Sequence, residues 1–285
     1  MLLRLLTRQP LAAACLASAS LSVAYGRSLT TVAMQQQPAA AASGAAVVVG
    51  VSHKPGLGFA VAKRFAEGGM PVGIVGRQQD KLDECRMAIL AEYPTANVIA
   101  VRADCTDEEQ VADAFAKLKK AHGPPEALIY NLSARPFPPT KIGDVTPTRL
   151  ESDWKAGPYG ALLCVHQVLP EMQAQQKGTI IFTGASASLR GTARFGSFAV
   201  AKNGLRAFAQ SLAKECLPEG IHVAHVVVDA MVDMPVIRGF VPKDIDPGRL
   251  LDTEACAEHY WHLHTQDKRC FTFESDVRPL LMQWS

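Results

Sequence analysis

An α/β fold, a doubly wound parallel sheet with helices on both faces in a single domain, is predicted from three observations. Short β-branched runs recur from about Ala45 onward, helical patterns with apolar positions at helical spacing lie between them, and the first run ends in a glycine-rich stretch that opens a helix. The 285 residues are 48% hydrophobic and 20% charged, as in an ordinary soluble globular chain, and no internal repeat is visible. The 29 basic and 27 acidic residues are mixed along most of the chain to a formal charge of +2, which leaves no basic footprint for nucleic acid.

Residues 1–44 read as a targeting peptide and linker, and residues 45–285 as the folded body. The first acidic residue is Glu67, and Arg4, Arg8 and Arg27 stand among Leu, Ala and Ser, the composition of a mitochondrial transit peptide. The apolar stretch Leu11–Tyr25 also suits the h-region of a secretory signal. It is too short and Ser-rich for a membrane span, so none is expected in the mature chain. The expected location is mitochondrial, with the secretory pathway or cytoplasm as alternatives. "QQQPAAAASG" then reads as linker.

The strands expected in order are "AAVVVGV", "PVGIVG", "NVIAVRA", "EALIYN", "GTIIFTG" and "IHVAHVVV". Between them, "LGFAVAKRFAEGG" and "DEEQVADAFAKLKKAHG" carry helical periodicity, the second opened by a Thr106/Glu109 capping box and closed by Gly123. The seven cysteines include no CxxC pair, so neither a metal cage nor a disulfide framework is expected. In the tail, only His259 and His262 among three histidines share a helical face, and a partly exposed aromatic helix at a dimer contact is expected there rather than a metal.

The first strand runs into "GVSHKPGLGFAVAKRF", with Gly50, Gly56 and Gly58. Glycines after a strand and before a helix let the backbone approach a pyrophosphate, which then sits on the helix amides; tight packing of the turn is the alternative. The second strand ends at Arg77, where an NAD site would place a carboxylate for the ribose 2′-hydroxyl. A guanidinium there suits the 2′-phosphate, so NADP is preferred to NAD, with Lys54 as a further cation. A solvated surface role is open for both.

On these residues, the segment from Ala45 to about Pro235 resembles the short-chain dehydrogenase/reductase superfamily, which implies a Rossmann-like sheet and NAD(P). The resemblance places Asp104 at adenine and Asn131, in "YNLSA", at the family's Asn-Asn-Ala-Gly position. A helix-start role for Asp104 and a turn role for Asn131 are the alternatives. It further implies Tyr-x-x-x-Lys after the fifth strand, whereas this chain reads "FAVAK": Lys202 is kept and Phe198 occupies the tyrosine position. A divergent branch places its tyrosine seven residues before the lysine, and that residue is Phe195. The serine position is Ala185, with Ser186 and Ser188 beside it, and the assisting asparagine position is Gly157. Met234 stands where the family has a threonine at the nicotinamide.

The resemblance gives Lys202 the nicotinamide ribose as a partner; snorkelling to water is the alternative. The combination is that of an atypical subgroup with an incomplete tetrad. Two functions remain: an NADP-dependent oxidoreductase acting on an unknown carbonyl or enoyl compound, with Tyr159, Ser186 or water replacing the phenol, or an NADP-binding scaffold with little turnover. A homo-oligomer is common in the family.

Overall fold

The computed structural model describes residues 44–134 and 137–282, apart from the side chains of residues 235 and 236. The leader at residues 1–43 lies outside them. The described body falls in one compact unit, Pro38–Ser285.

Seven strands form one parallel sheet. In chain order they are β1 (Ala45–Val49), β2 (Val72–Gly76), β3 (Val98–Arg102), β4 (Pro125–Tyr130), β5 (Gly178–Thr183), β6 (Ile221–Val228) and β9 (Glu274–Val277), arranged β3-β2-β1-β4-β5-β6-β9. Two short strands, β7 (Met231–Val232) and β8 (Leu250–Leu251), pair separately beyond β6. Crossover helices cover both faces, which is why the central strands read as unbroken apolar runs rather than alternating ones.

Alternate residues of each strand feed two cores. Val48, Ile129, Ile181 and Val226 meet α1 (Leu57–Glu67) and α8 (Thr253–His264) through Phe65 and Tyr260. Val47, Leu128 and Phe182 meet α3 (Glu108–His122), α5 (Gly160–Gln175) and α6 (Gly196–Cys216) through Phe115, Val165 and Leu205. Strand order reverses between β1 and β4, which opens the crevice where ligands of such sheets bind. The remaining helices are α2 (Gln79–Glu92), α4 (Pro147–Trp154) and the short α7 (Pro235–Arg238).

All six expected strands are present, and the structure corrects one local reading. The cap of α3 is Asp107, whose Oδ1 accepts the Gln110 N–H at 3.0 Å, one residue beyond the expected Thr106, and the Gln110 Oε1 accepts from the Asp104 N–H rather than closing a box. Thr106 instead turns back to Asp104, donating its N–H and Oγ1 to the same carboxylate oxygen. In the tail, β9 went unforeseen because "ESDV" carries no apolar run; it is recruited by register with β6, from His225↔Glu274 to Val228↔Val277. Helix α8 turns its aromatic face inward. Trp261, half-buried, meets Phe65 edge-on at 5.2 Å and Arg64 lies 4.7 Å over its ring, so α1 of the same chain packs on one side of it.

Candidate active site

The glycine turn begins at Gly50, whose φ is +89°. A Cβ there would lie 2.7 Å from the Leu132 nitrogen and 2.9 Å from the Asn131 oxygen, so the β1 turn runs against the β4 turn and only glycine fits. A Cβ at Gly58 would lie 2.9 Å from the Gly50 oxygen, and one at Gly56 2.8 Å from the His53 oxygen. Helix α1 starts after Gly56 with no side-chain cap and no acidic residue in its first turn. The first amide to find a carbonyl is that of Ala60, at the Gly56 oxygen. The preceding amides therefore leave partial positive charge at the mouth of the glycine turn, as an anionic pyrophosphate requires. The tight packing expected of the three glycines is present.

Arg77 is exposed at the end of β2, and among the described residues none bonds or pairs with it. Lys54 is exposed in the glycine turn. Asn131 hangs from Val49 through its amide and donates Nδ2 to the Gly50 oxygen at 3.3 Å, a turn role that also sets it beside Gly58. Asp104 is half-buried and held in its turn by Thr106.

At the other end of the crevice, Lys202 on α6 is 2% exposed and donates Nζ to the Thr183 oxygen at 2.7 Å. Snorkelling is thereby excluded. Burial depresses its pKa to about 8, because removing the ammonium from water disfavours the charged form. Beneath the same helix, His225 is fully buried, with Nδ1 3.0 Å from Glu274 Oε2, and Arg206 grips Glu274 through Nε at 2.6 Å and Nη2 at 2.9 Å. Burial outweighs the carboxylate and lowers the His225 pKa to about 4, so the ring is neutral at pH 7.

Phe198, one turn before Lys202, is half-buried. Gly157 has a structural cause: the α4–α5 path breaks there at φ −92°, ψ −111°, and a Cβ would lie 2.7 Å from the Ala201 oxygen of α6. An asparagine side chain has no room. Ala185 donates its N–H to the fully buried Ser188 Oγ at 3.1 Å, while Ser186 is half-buried at the start of a tight turn over residues 186–188. Asn203, next to Lys202, ties that turn to α6 through the Ala187 oxygen at 2.6 Å. The structure thus brings Ser186 and Lys202 to one region. Tyr159 packs its ring on Trp154 with centroids 5.5 Å apart and is half-buried against the core that holds Leu205 and Ala209 of α6.

Sequence reasoning missed two buried groups here. Asp153, 4% exposed, accepts from Ser197 Oγ and Arg149 Nε, each at 2.7 Å, and so pins α4 to the residue before Phe198. The Arg149/Asp153 spacing of one helical turn was the available signal. The His225–Glu274 pair had none, since it depends on the register of β9. Among the described residues no cluster fits a metal ion, and no helix is long and apolar enough to cross a membrane.

Residues 44–236 match the family described as short chain dehydrogenase, more than half of the chain. The chain belongs to the short-chain dehydrogenase/reductase family. A short-chain dehydrogenase from Rhodopseudomonas palustris superposes with a TM-score of 0.68 at 32% identity, covering 82% of this chain and 98% of that one. A metagenomic short-chain oxidoreductase in complex with NADP superposes at 0.72 with 21% identity, over 85% and 99% of the two chains. An uncharacterized oxidoreductase of Staphylococcus aureus is 26% identical over 235 residues, 82% of this chain and 96% of its own length. A second relative, oxidoreductase asL5 of Sarocladium schorii, is 29% identical over 168 residues, and the match spans 65% of its length.

Proposed function

We propose that this chain is an NADP(H)-dependent reductase of a carbonyl or enoyl compound in which Lys202 Nζ carries the proton that a phenol carries elsewhere in the family. The observation behind the reading is the burial of Lys202 with a pKa brought to about 8. A general acid is most effective when its pKa lies near the working pH.

The cofactor fits the residues present. Gly50, Gly56 and Gly58 would let the pyrophosphate reach the first amides of α1, and Arg77, aided by Lys54, would meet the 2′-phosphate. Asp104 would lie toward the adenine and Asn131 beside the glycine turn. The metagenomic protein of the same fold is in complex with NADP, and the preference over NAD rests on Arg77.

When bound, NADPH supplies hydride to the substrate carbon. The negative charge then left on the substrate needs a proton, and neither Phe198 nor Ala185 can donate one. Lys202 is an ammonium at pH 7, with one N–H committed to the Thr183 oxygen and two free to serve the ribose hydroxyls and the developing oxyanion. Ser186 would add a hydrogen bond to that oxyanion from the turn tied to α6. In this reading Lys202 takes the role for which Tyr159, packed on Trp154, was the alternative.

The decisive experiment is the pH dependence of reductive kcat/KM. It should fall as pH rises through about 8, where Lys202 loses its proton. A Lys202→Met variant should lose about 10²–10⁴-fold. Tight NADPH binding with turnover unchanged in that variant would remove Lys202 from the chemistry, and binding with no turnover in either protein would favour the scaffold function. We propose as well that residues 1–44 direct mitochondrial import; a reporter carrying them should enter mitochondria, and a secreted or diffuse reporter would refute this.

A further inference from the structure

Phe195, Phe198 and Lys202 share one face of α6. Phe195, at the N-cap, precedes the lysine by seven residues, which at helical pitch places it within about 20° of Lys202 and about 10 Å nearer the helix start. Two more rings meet it there from other segments. Phe137, in the segment after β4, stands edge-on to Phe195 with centroids 6.2 Å apart at 86°. Phe240, in the segment after α7, stacks on Phe137 at 5.0 Å and 18°. The three segments leave the carboxyl ends of β4, β5 and β6, the edge of the sheet at which ligands of this fold bind.

The cluster is held together and is not sealed. Thr140 donates its N–H to the Arg194 oxygen at 2.9 Å, tying the first segment to the start of α6. Phe240 is 56% exposed, and Phe137 and Phe195 are half-buried. Just before the third segment, Arg238 holds both oxygens of Asp233 at 2.7 and 2.8 Å. Single exposed phenyl rings are ordinary on a protein surface, but three rings from three separate segments meeting at the start of the helix that carries Lys202 leave apolar surface in water that an apolar ligand would cover.

We infer that Phe137, Phe195 and Phe240 form the subsite for an apolar substituent, an aryl or alkyl group of about phenyl size. The substrate class is accordingly apolar ketones and aldehydes rather than small hydroxylated ones. The inference rests on the carbonyl reduction proposed above, yet the subsite is built by this chain alone, so ligand binding can be read without turnover.

The test is calorimetric titration of a series of phenyl alkyl ketones, with acetone and hydroxyacetone as comparators, into the protein with and without NADP⁺. Affinity should rise about fourfold for each methylene that becomes buried, and acetone and hydroxyacetone should bind far more weakly. Phe240→Ser, at an exposed position, should flatten that rise, while Leu217→Ser, 58% exposed beyond the C-terminus of α6, should leave it intact. A flat series in both forms of the wild-type protein, or an unchanged series in Phe240→Ser, overturns the subsite. A rising series without any reduction of these ketones by NADPH keeps the subsite and instead counts against the reductase reading.

Discussion

Replacing Lys202 by methionine should stabilise the protein while removing its activity. The folded lysine titrates at about 8 instead of 10.5, so holding it as an ammonium at pH 7 costs roughly 3 kcal/mol relative to the unfolded chain. Methionine keeps most of the buried stem and carries no charge. Against the gain stands the lost hydrogen bond to the Thr183 oxygen, worth about 1 kcal/mol, leaving a net stabilisation of roughly 2 kcal/mol at pH 7. For a domain of this size that is a rise of roughly 4–8 °C in Tm.

The pH dependence separates this cause from simple repacking. Below pH 8 the lysine is protonated in both states and the penalty is fully present. Between about 8 and 10.5 the folded lysine has lost its proton while the unfolded one keeps it, so wild-type stability climbs with pH and the advantage of the variant shrinks. Urea titrations at pH 7 and pH 10 for both proteins supply the comparison. A variant less stable than wild type at pH 7, or an advantage that does not change with pH, would refute the claim that desolvation of this ammonium is what the fold sustains for function.

Three further outcomes are expected. Arg77→Ala should weaken NADPH by at least tenfold and leave NADH nearly unchanged, as read by calorimetry; equal losses would remove Arg77 from the 2′-phosphate. Gly50→Ala forces a side chain onto φ +89° and against the Asn131–Leu132 backbone, which should cost roughly 1–3 kcal/mol in urea unfolding and abolish NADPH binding; normal binding would show that the turn does not form the cradle. Phe198→Tyr should supply a second acid one turn before Lys202 and sustain reduction above pH 8, where Lys202 is neutral; an unchanged pH profile would mean the phenol position does not face the substrate.

The sequence alone determined the sheet and the place of its ligand crevice. Its β-branched runs, helical spacing and glycine turn each obey local rules of backbone geometry, so Ala45–Val49 through Ile221–Val228 could be drawn without knowing what they touch. It also picked out Phe198, Ala185 and Gly157 as residues where the family resemblance leads one to expect other side chains, because those positions are counted along the chain. Only the tertiary structure decided what surrounds them. Gly157 is glycine because α6 packs against it at Ala201, and the Tyr159 ring lies against Trp154. The Lys202 pKa, the His225–Glu274 pair on the register of β9, and the meeting of Phe137, Phe195 and Phe240 join residues far apart in sequence. Desolvation and ring packing depend on what surrounds a group in space, and no periodicity along the chain encodes that.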